Sequence, residues 1–216
     1  MKISIITPTI RPKGLAIIQK SLAQQTVQDF EWLIDIGIPS RGYDLNKALN
    51  RLLKRARGEW IVMWQDYIKA SPDALKKFLE VADPKKFITG ACGKTLNWKD
   101  IKWDWRANRK SFEEIEYYEW EADFAIVPLK AFYDIGGYDE EYDQYWSNEN
   151  VNTACRAKML GYTFWVLPNN QAIHFDHDKV FKHPFRHTFN PDFHNKKLDD
   201  IKIGIAPIKL PYLNNT

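Results

Sequence analysis

One apolar run that ends in an acid constrains the fold of this 216-residue chain most. Trp60–Trp64 contains only apolar residues and stops at Gln65 and Asp66. An uninterrupted apolar run of this length predicts a strand that is buried on both faces, as in a parallel sheet. Open α/β sheets bind their ligands at the carboxyl ends of such strands. Asp66 is therefore a candidate ligand-binding acid, and a plain strand followed by a turn is the structural alternative.

The segments around this run alternate between strand and helix patterns. Strand patterns at 3–6 and 30–35 alternate with helical spacing at 14–25 and 45–56. This order predicts a parallel sheet with helices on both sides. The second half has further strand patterns at 87–90, 122–128, 162–167 and 172–175, a helical pattern at 150–160, and a polar, Trp-rich loop at 97–109.

The composition narrows the class of protein. A hydrophobic fraction of 44% is enough for a sizeable core, and a net charge of +3 does not by itself indicate a nucleic-acid-binding protein. Two cysteines, Cys92 and Cys155, predict reduced, buried thiols and no disulfide framework. The chain shows no signal-peptide pattern and no apolar run of membrane-spanning length, so we expect a cytoplasmic protein without a transmembrane segment.

The segment 179–197 is basic and rich in phenylalanine. Five cations stand against one acid, Asp192, and Pro184 and Pro191 argue against a continuous helix. We therefore expect 179–216 to be an irregular C-terminal extension packed on the domain. A surface for an anionic partner is the alternative. The cations are Lys179, Lys182, Arg186, Lys196 and Lys197.

Four segments carry recognisable motifs in a fixed order. They are a strand followed by a Pro-Thr-x-Arg loop in 3–11, a strand ending in an acid at 30–35, a run at 50–67 with Asn, Ala-x-Gly-Glu and Asp66, and Gly-Gly-Tyr-Asp-Glu followed by Glu149, an Arg and Gly-Tyr in 135–161. In this order they resemble the family 2 glycosyltransferases, which use nucleotide sugars and have the GT-A fold. The resemblance covers about residues 3–177.

The resemblance implies a GT-A-like, Rossmann-like α/β fold with a mostly parallel central sheet flanked by helices. We expect one glycosyltransferase domain at 1–178, with the nucleotide-sugar half at 1–95 and the acceptor half at 96–178. Two motifs depart from the family pattern. Gln65-Asp66-Tyr67 replaces Asp-x-Asp, and Glu149-Asn150 replaces Glu-Asp, so each site has lost one carboxylate.

The resemblance also assigns roles to individual residues. Asp66 is the expected metal ligand together with His174 or His177, and the metal is Mn²⁺ or Mg²⁺, with imidazole favouring Mn²⁺. Glu149 is the expected general base. The acceptor contacts are expected from Trp98, Trp146, Asn148 and Asn150. The nucleotide-sugar contacts are expected from Thr7, Pro8, Thr9, Arg11, Asp35, Asn50, Gln65 and Asp66.

The implied activity is transfer of a sugar from a nucleoside diphosphate sugar, with a UDP-sugar favoured, to an acceptor hydroxyl. An inverting, metal-dependent reaction and a saccharide acceptor are expected. Two alternatives remain, namely a weakened glycosyltransferase-like binding protein and an enzyme that acts on modified nucleic acid. A nucleotidyltransferase would need a glycine-rich phosphate loop, but residues 7–14 contain only Gly14.

Overall fold

The computed structural model describes residues 2–37, 44–144, 148–176 and 190–213. The strands are β1 Ile3–Thr9, β2 Phe30–Ile36, β3 Trp60–Trp64, β4 Ile68–Ala70, β5 Lys86–Thr95, β6 Lys102–Trp103, β7 Glu113–Ile115, β8 Phe124–Pro128 and β9 Thr163–Phe175. The helices are α1 Leu15–Ala23, α2 Leu45–Arg55, α3 Ala74–Val81, α4 Leu129–Ile135, α5 Glu149–Met159 and α6 Pro191–Lys202.

The nine strands in the described residues join one sheet. Its order is β2-β1-β3-β8-β5-β9-β4, while β6 pairs with β5 and β7 pairs with β9. β1 is parallel to both β2 and β3, and β5 is parallel to β9. β8 runs antiparallel to both β3 and β5, so β2, β1, β3, β5 and β9 all point the same way. The predicted α/β fold with a largely parallel central sheet is confirmed.

The apolar run in β3 is buried along its whole length because the sheet is covered on both faces. Trp60, Val62 and Trp64 belong to one hydrophobic cluster, and Ile61 and Met63 belong to another. Successive side chains of a strand point to opposite faces, so one strand feeds both clusters. A sequence that alternated apolar and polar residues would leave one of these faces unfilled.

Three of the predicted segments have a different structure. β9 is one strand where two were predicted, because the polar stretch inside it is accommodated by a shift of register opposite Gly90 and Ala91. The Trp-rich segment contains β6 and a 3-10 turn, Trp105–Asn108. The prediction of an irregular extension is wrong for α6, since Pro191 occupies the first turn, where its missing N–H costs nothing.

Cys92 and Cys155 are both buried and form no disulfide, as predicted. Among the residues that the structure describes, no helix is both long and apolar enough to cross a bilayer.

Candidate nucleotide-sugar site

Asp66 lies directly after β3 and connects the ends of two neighbouring strands. Its residue surface is 4% exposed. The Thr9 hydroxyl donates to Asp66 Oδ2 at 2.6 Å, and the Arg11 guanidinium donates to the two carboxylate oxygens at 3.3 and 3.5 Å. Because β1 and β3 are parallel neighbours, their carboxyl ends meet at one edge. The structure thus brings together Thr9, Arg11 and Asp66, which are far apart in sequence.

The other predicted residues of this edge have mainly backbone-supporting contacts. The Thr7 hydroxyl is buried, donates to the Trp64 carbonyl at 2.7 Å and accepts from the Trp32 indole N–H at 3.0 Å. Pro8 is buried within β1. The backbone N–H of Gln65 donates to the Asp123 carbonyl at 3.1 Å. Thr7 therefore fixes the position of the strand ends.

Asp35 and Asn50 are both engaged by other protein groups. Arg51 donates to the two oxygens of Asp35 at 2.8 and 2.9 Å. Asn50 is 1% exposed and exchanges two hydrogen bonds of 2.9 Å with the backbone of Tyr138. Its amide also donates to Glu140 at 3.0 Å. Asn50 thus attaches α2 to the Gly-Gly-Tyr-Asp-Glu turn, and a ligand contact from Asp35 would have to compete with Arg51.

Left-handed backbone marks this part of the molecule. Among the described residues, Tyr67, Trp98 and Asn148 are the non-glycine residues with positive φ, at 62°, 63° and 70°. Tyr67 follows Asp66, and Asn148 precedes Glu149. A non-glycine residue in this region costs of order 1 kcal/mol and persists where its surroundings enforce it, which is common at functional sites.

An aromatic stack stands beside Asp66. Phe175 stacks on Tyr67 with ring centroids 6.2 Å apart and on Trp98 with centroids 5.4 Å apart. The Tyr67 ring lies against Gly14, where an added Cβ would come within 2.4 Å of it. Trp98 remains 38% exposed. The exposed part of the indole offers an apolar surface of the kind that packs against sugar rings.

The sequence predicts His174 or His177 as a second metal ligand beside Asp66. His174 is half-buried and lies opposite Ile68 in the β4–β9 ladder. The Phe175 N–H donates to the Tyr67 carbonyl at 3.0 Å and the Asp176 N–H donates to the Thr95 carbonyl at 2.7 Å, so Asp176 follows a residue that is bonded to the sequence neighbour of Asp66. Sequence reasoning missed Asp176, although it stands between His174 and His177.

The donor set fits a hard cation only in part. Within the described ranges, no group of three or more His, Cys, Asp or Glu residues is arranged to hold a metal ion. Asp66 and Asp176 supply carboxylate oxygens, which suit Mg²⁺ or Mn²⁺ when phosphate and water complete the shell. His177 and Trp146 lie outside the described residues.

Glu149, the predicted base, is the first residue of α5 and is half-buried. Burial raises the pKa of its carboxyl, the hydrogen bond from its own backbone N–H lowers it, and the negative charge of Asp143 raises it again. A raised pKa brings a carboxylate closer to the proton affinity that a general base needs near neutral pH. Asn148 and Asn150 flank Glu149, and both are half-buried.

A buried arginine in the Trp-rich segment was not found from the sequence. Arg106 is 2% exposed and donates to Asp104, to Asp123 and to the Thr89 hydroxyl, with shortest distances of 2.6, 2.7 and 2.7 Å. Burial would raise the pKa of Asp123, but Arg106 lowers it to about 2. A single arginine in a polar loop carries no sequence signal for burial. The hydrogen bonds of Arg106 to Thr89 and Asp123 attach the Trp-rich segment to β5 and to the residue before β8.

Glu121 was also missed. It lies two residues before Asp123, whose backbone carbonyl accepts a hydrogen bond from the Gln65 N–H. This segment therefore lies at the same edge of the sheet as Asp66. The residue is exposed overall, yet desolvation of its carboxyl and the charges of Asp123, Asp104 and Glu149 raise its pKa to about 7, against the effect of Arg106. The edge therefore holds a carboxyl that is partly protonated at neutral pH.

Comparisons with known proteins give structural matches alone. No protein-family model and no curated protein matches the sequence. S. aureus TarS 1-349 in complex with UDP-GlcNAc matches with a TM-score of 0.70 and 16% identity, over 95% of this chain and 66% of that one. The UDP complex of the same TarS fragment matches with a TM-score of 0.59 and 17% identity, over 81% of this chain and 60% of that one.

A second protein gives a similar match. GalNAc-T7 with UDP, GalNAc and Mn²⁺ has a TM-score of 0.61 and 10% identity, over 81% of this chain and 44% of that one. The chain thus spans between about a third and two thirds of the length of the structures it matches. With the strand order and direction given above, these matches establish that the chain has the GT-A fold of glycosyltransferases.

Proposed function

We propose that this protein transfers a sugar from a nucleoside diphosphate sugar to an acceptor hydroxyl, with a UDP-sugar as the favoured donor. The observation that carries the proposal is the Thr9–Asp66–Arg11 cluster at the joined ends of β1 and β3. Open α/β sheets bind ligands at this edge. TarS has been solved with UDP and with UDP-GlcNAc, and GalNAc-T7 with UDP, GalNAc and Mn²⁺.

The donor diphosphate would meet Arg11 and Asp66. The Arg11 side chain is 26% exposed, so its cation is accessible from the edge. A divalent metal would be held by Asp66 and Asp176, with His174 or His177 as a further ligand. When bound, such a metal neutralises charge on the leaving diphosphate. The nucleotide would lie against the backbone at the ends of β1 and β3, which Thr7, Pro8 and Gln65 hold in position. Asp35 would face the nucleobase.

Glu149 would act on the acceptor. As the acceptor oxygen bonds to the anomeric carbon, the bond to the diphosphate oxygen breaks and the diphosphate leaves with the electron pair. Glu149 takes the acceptor proton. A single displacement of this kind inverts the anomeric centre. Trp98 would pack on a sugar ring, and Asn148, Asn150 and Trp146 would contact acceptor hydroxyls.

A saccharide is the acceptor we propose. The nucleic-acid alternative rests on the basic residues of 179–197, but Lys197 is paired with Asp139 and Glu141 at 3.1 and 2.7 Å. Lys196 is paired with Asp200 on its own helix. Lys179, Lys182 and Arg186 lie outside the described residues. Two of the five cations are therefore engaged within the protein.

A weakened, glycosyltransferase-like binding protein is the second candidate. Its supporting observation is that both carboxylate oxygens of Asp66 already receive hydrogen bonds from Arg11. The deciding experiment measures binding and hydrolysis of UDP, UDP-GlcNAc and GDP-mannose, each with and without Mn²⁺. Binding with donor hydrolysis or transfer supports the enzyme, and binding without turnover supports the second candidate. Absence of binding to every nucleotide would contradict both.

A further inference from the structure

We propose that α6 is a positioning element for Glu149, acting through Lys197 and His194 on the segment 139–144. Residues 145–147 lie outside the described residues, and this segment is the last described part of the chain before Asn148 and Glu149. The inference rests on the proposed function, because it assigns α6 to the base of that reaction.

On one side the segment is attached to the start of α2. The Asp143 carboxylate accepts from the backbone N–H of Asn46 at 2.7 Å, from its side-chain amide at 2.9 Å and from the backbone N–H of Lys47 at 3.1 Å. Free N–H groups at a helix start favour a carboxylate at this position. Asp143 therefore fixes the segment to the nucleotide-sugar half.

On the other side the segment is attached to α6. Lys197 Nζ lies 3.1 Å from Asp139 Oδ2 and 2.7 Å from Glu141 Oε2. The Tyr142 hydroxyl lies 3.1 Å from His194 Nδ1, and the Tyr142 ring meets Phe193 edge-on at 5.1 Å. Tyr142 is 2% exposed. One helix thus contacts Asp139, Glu141 and Tyr142 of the same segment.

The chain beyond α6 continues this attachment at the glycine turn. The backbone N–H groups of Leu210 and Leu213 donate to the carbonyls of Ile135 and Gly136 at 2.8 and 3.0 Å. Gly136 has a φ of 74°, and an added Cβ would lie 1.8 Å from the Leu210 carbonyl oxygen. No side chain fits there, so this glycine of the Gly-Gly-Tyr-Asp-Glu motif is required by the C-terminal segment that packs on it.

Helix α5, which begins at Glu149, is attached to the same region. Arg156 in α5 donates to the Gly137 carbonyl at 3.0 Å. The described residues on either side of 145–147 are therefore attached to the block that α6 and residues 205–213 cover. Displacing a catalytic group by about 1 Å can cost on the order of 10²-fold in rate. The donor contacts of Thr9, Arg11 and Asp66 lie on other elements, so loosening α6 should lower turnover and spare donor binding.

The test uses Lys197→Met, with Lys197→Arg as the conservative variant. Lys196→Met is the matched control, because Lys196 lies on the same helix, is 75% exposed and, among the described residues, pairs with Asp200 of α6 itself. We expect Lys197→Met to lower kcat about 10-fold with the Kd for the sugar nucleotide within twofold. Lys197→Arg should restore most of the rate, and Lys196→Met should resemble wild type.

Hydrogen exchange supplies a readout that needs no activity. Peptides covering 139–149 should exchange about 10-fold faster in Lys197→Met than in wild type, with no change in Lys196→Met. If Lys197→Met fails to fold, Tyr142→Phe removes only the hydroxyl that meets His194, and it should change exchange and kcat in the same direction.

Unchanged exchange in 139–149, or faster exchange with unchanged kcat, would overturn the inference. If the wild-type protein binds no sugar nucleotide, the proposed function fails, and the role of α6 at a catalytic base fails with it. The exchange measurement then still decides whether α6 holds the segment, so the two failures are distinguishable.

Discussion

The Thr9 hydroxyl donates a 2.6 Å hydrogen bond to Asp66 across a separation of 57 residues. The bond exists because β1 and β3 are parallel neighbours whose carboxyl ends meet at one edge of the sheet. It joins the first loop of the chain to the acid that follows the central strand.

Asp66→Asn should abolish metal-dependent binding of the sugar nucleotide. Asparagine keeps the shape but loses the charge, and neither Gln65 nor Tyr67 offers a carboxylate in its place. Calorimetric titration of UDP-GlcNAc with and without Mn²⁺ measures the effect, with Asp73→Asn as a control at another acid. A Mn²⁺ dependence equal to that of wild type would show that Asp66 is no ligand.

Glu149→Gln should lower turnover by about 10²-fold or more, because the amide cannot accept the acceptor proton. Donor affinity should stay near wild type, since Glu149 lies in α5 and the proposed donor contacts lie at or just after the ends of β1 and β3. Steady-state kinetics and direct binding separate the two effects. Turnover within a few-fold of wild type would leave Glu149 as an ordinary acid at a helix start.

Arg106→Met should destabilise the protein by about 3–5 kcal/mol, because it leaves the carboxylates of Asp104 and Asp123 without their buried partner. Urea unfolding measures the loss. Arg109→Met is the matched control in the same segment. Arg109 is 39% exposed and pairs with Glu113 and Glu119, so its removal should cost less than about 1 kcal/mol. Equal losses in the two variants would contradict the structural role of Arg106.

Glu121 should make the protein less stable as pH rises from about 4.5 to about 7. Its pKa is about 7 in the folded protein, against 4.5 for the ordinary group, so in this window the native state keeps a proton that the unfolded state releases. Solvent screening at an exposed residue keeps the effect near 1 kcal/mol. Glu121→Gln should therefore show a smaller fall in Tm between pH 5 and pH 8.

The control for this pH effect is Glu114→Gln, which removes one exposed negative charge elsewhere in the chain. Its Tm should depend on pH as in wild type. If Glu121→Gln and wild type lose the same amount of Tm between the two pH values, the carboxyl of Glu121 titrates at its ordinary pKa.

The amino-acid sequence by itself determined the alternation of strands and helices and the buried central strand. These follow from local periodicity, since the run Trp60–Trp64 has no polar residue to face water. The order of motifs also located the acid at the end of β3. Tertiary structure decided what these residues contact. Thr9 and Arg11 contact Asp66 only because β1 and β3 are neighbours in the sheet. The Asn50 side chain is hydrogen-bonded to the backbone of Tyr138.

The remaining differences have the same origin. Arg106 and Glu121 carry no local pattern, because burial of a charge and a shifted pKa depend on partners that folding brings from distant segments. α6 was missed because prolines were counted as breakers, whereas Pro191 stands at a helix start. Local propensity fixes which elements form. Long-range packing alone decides which polar groups face one another, and that choice sets the chemistry of the edge.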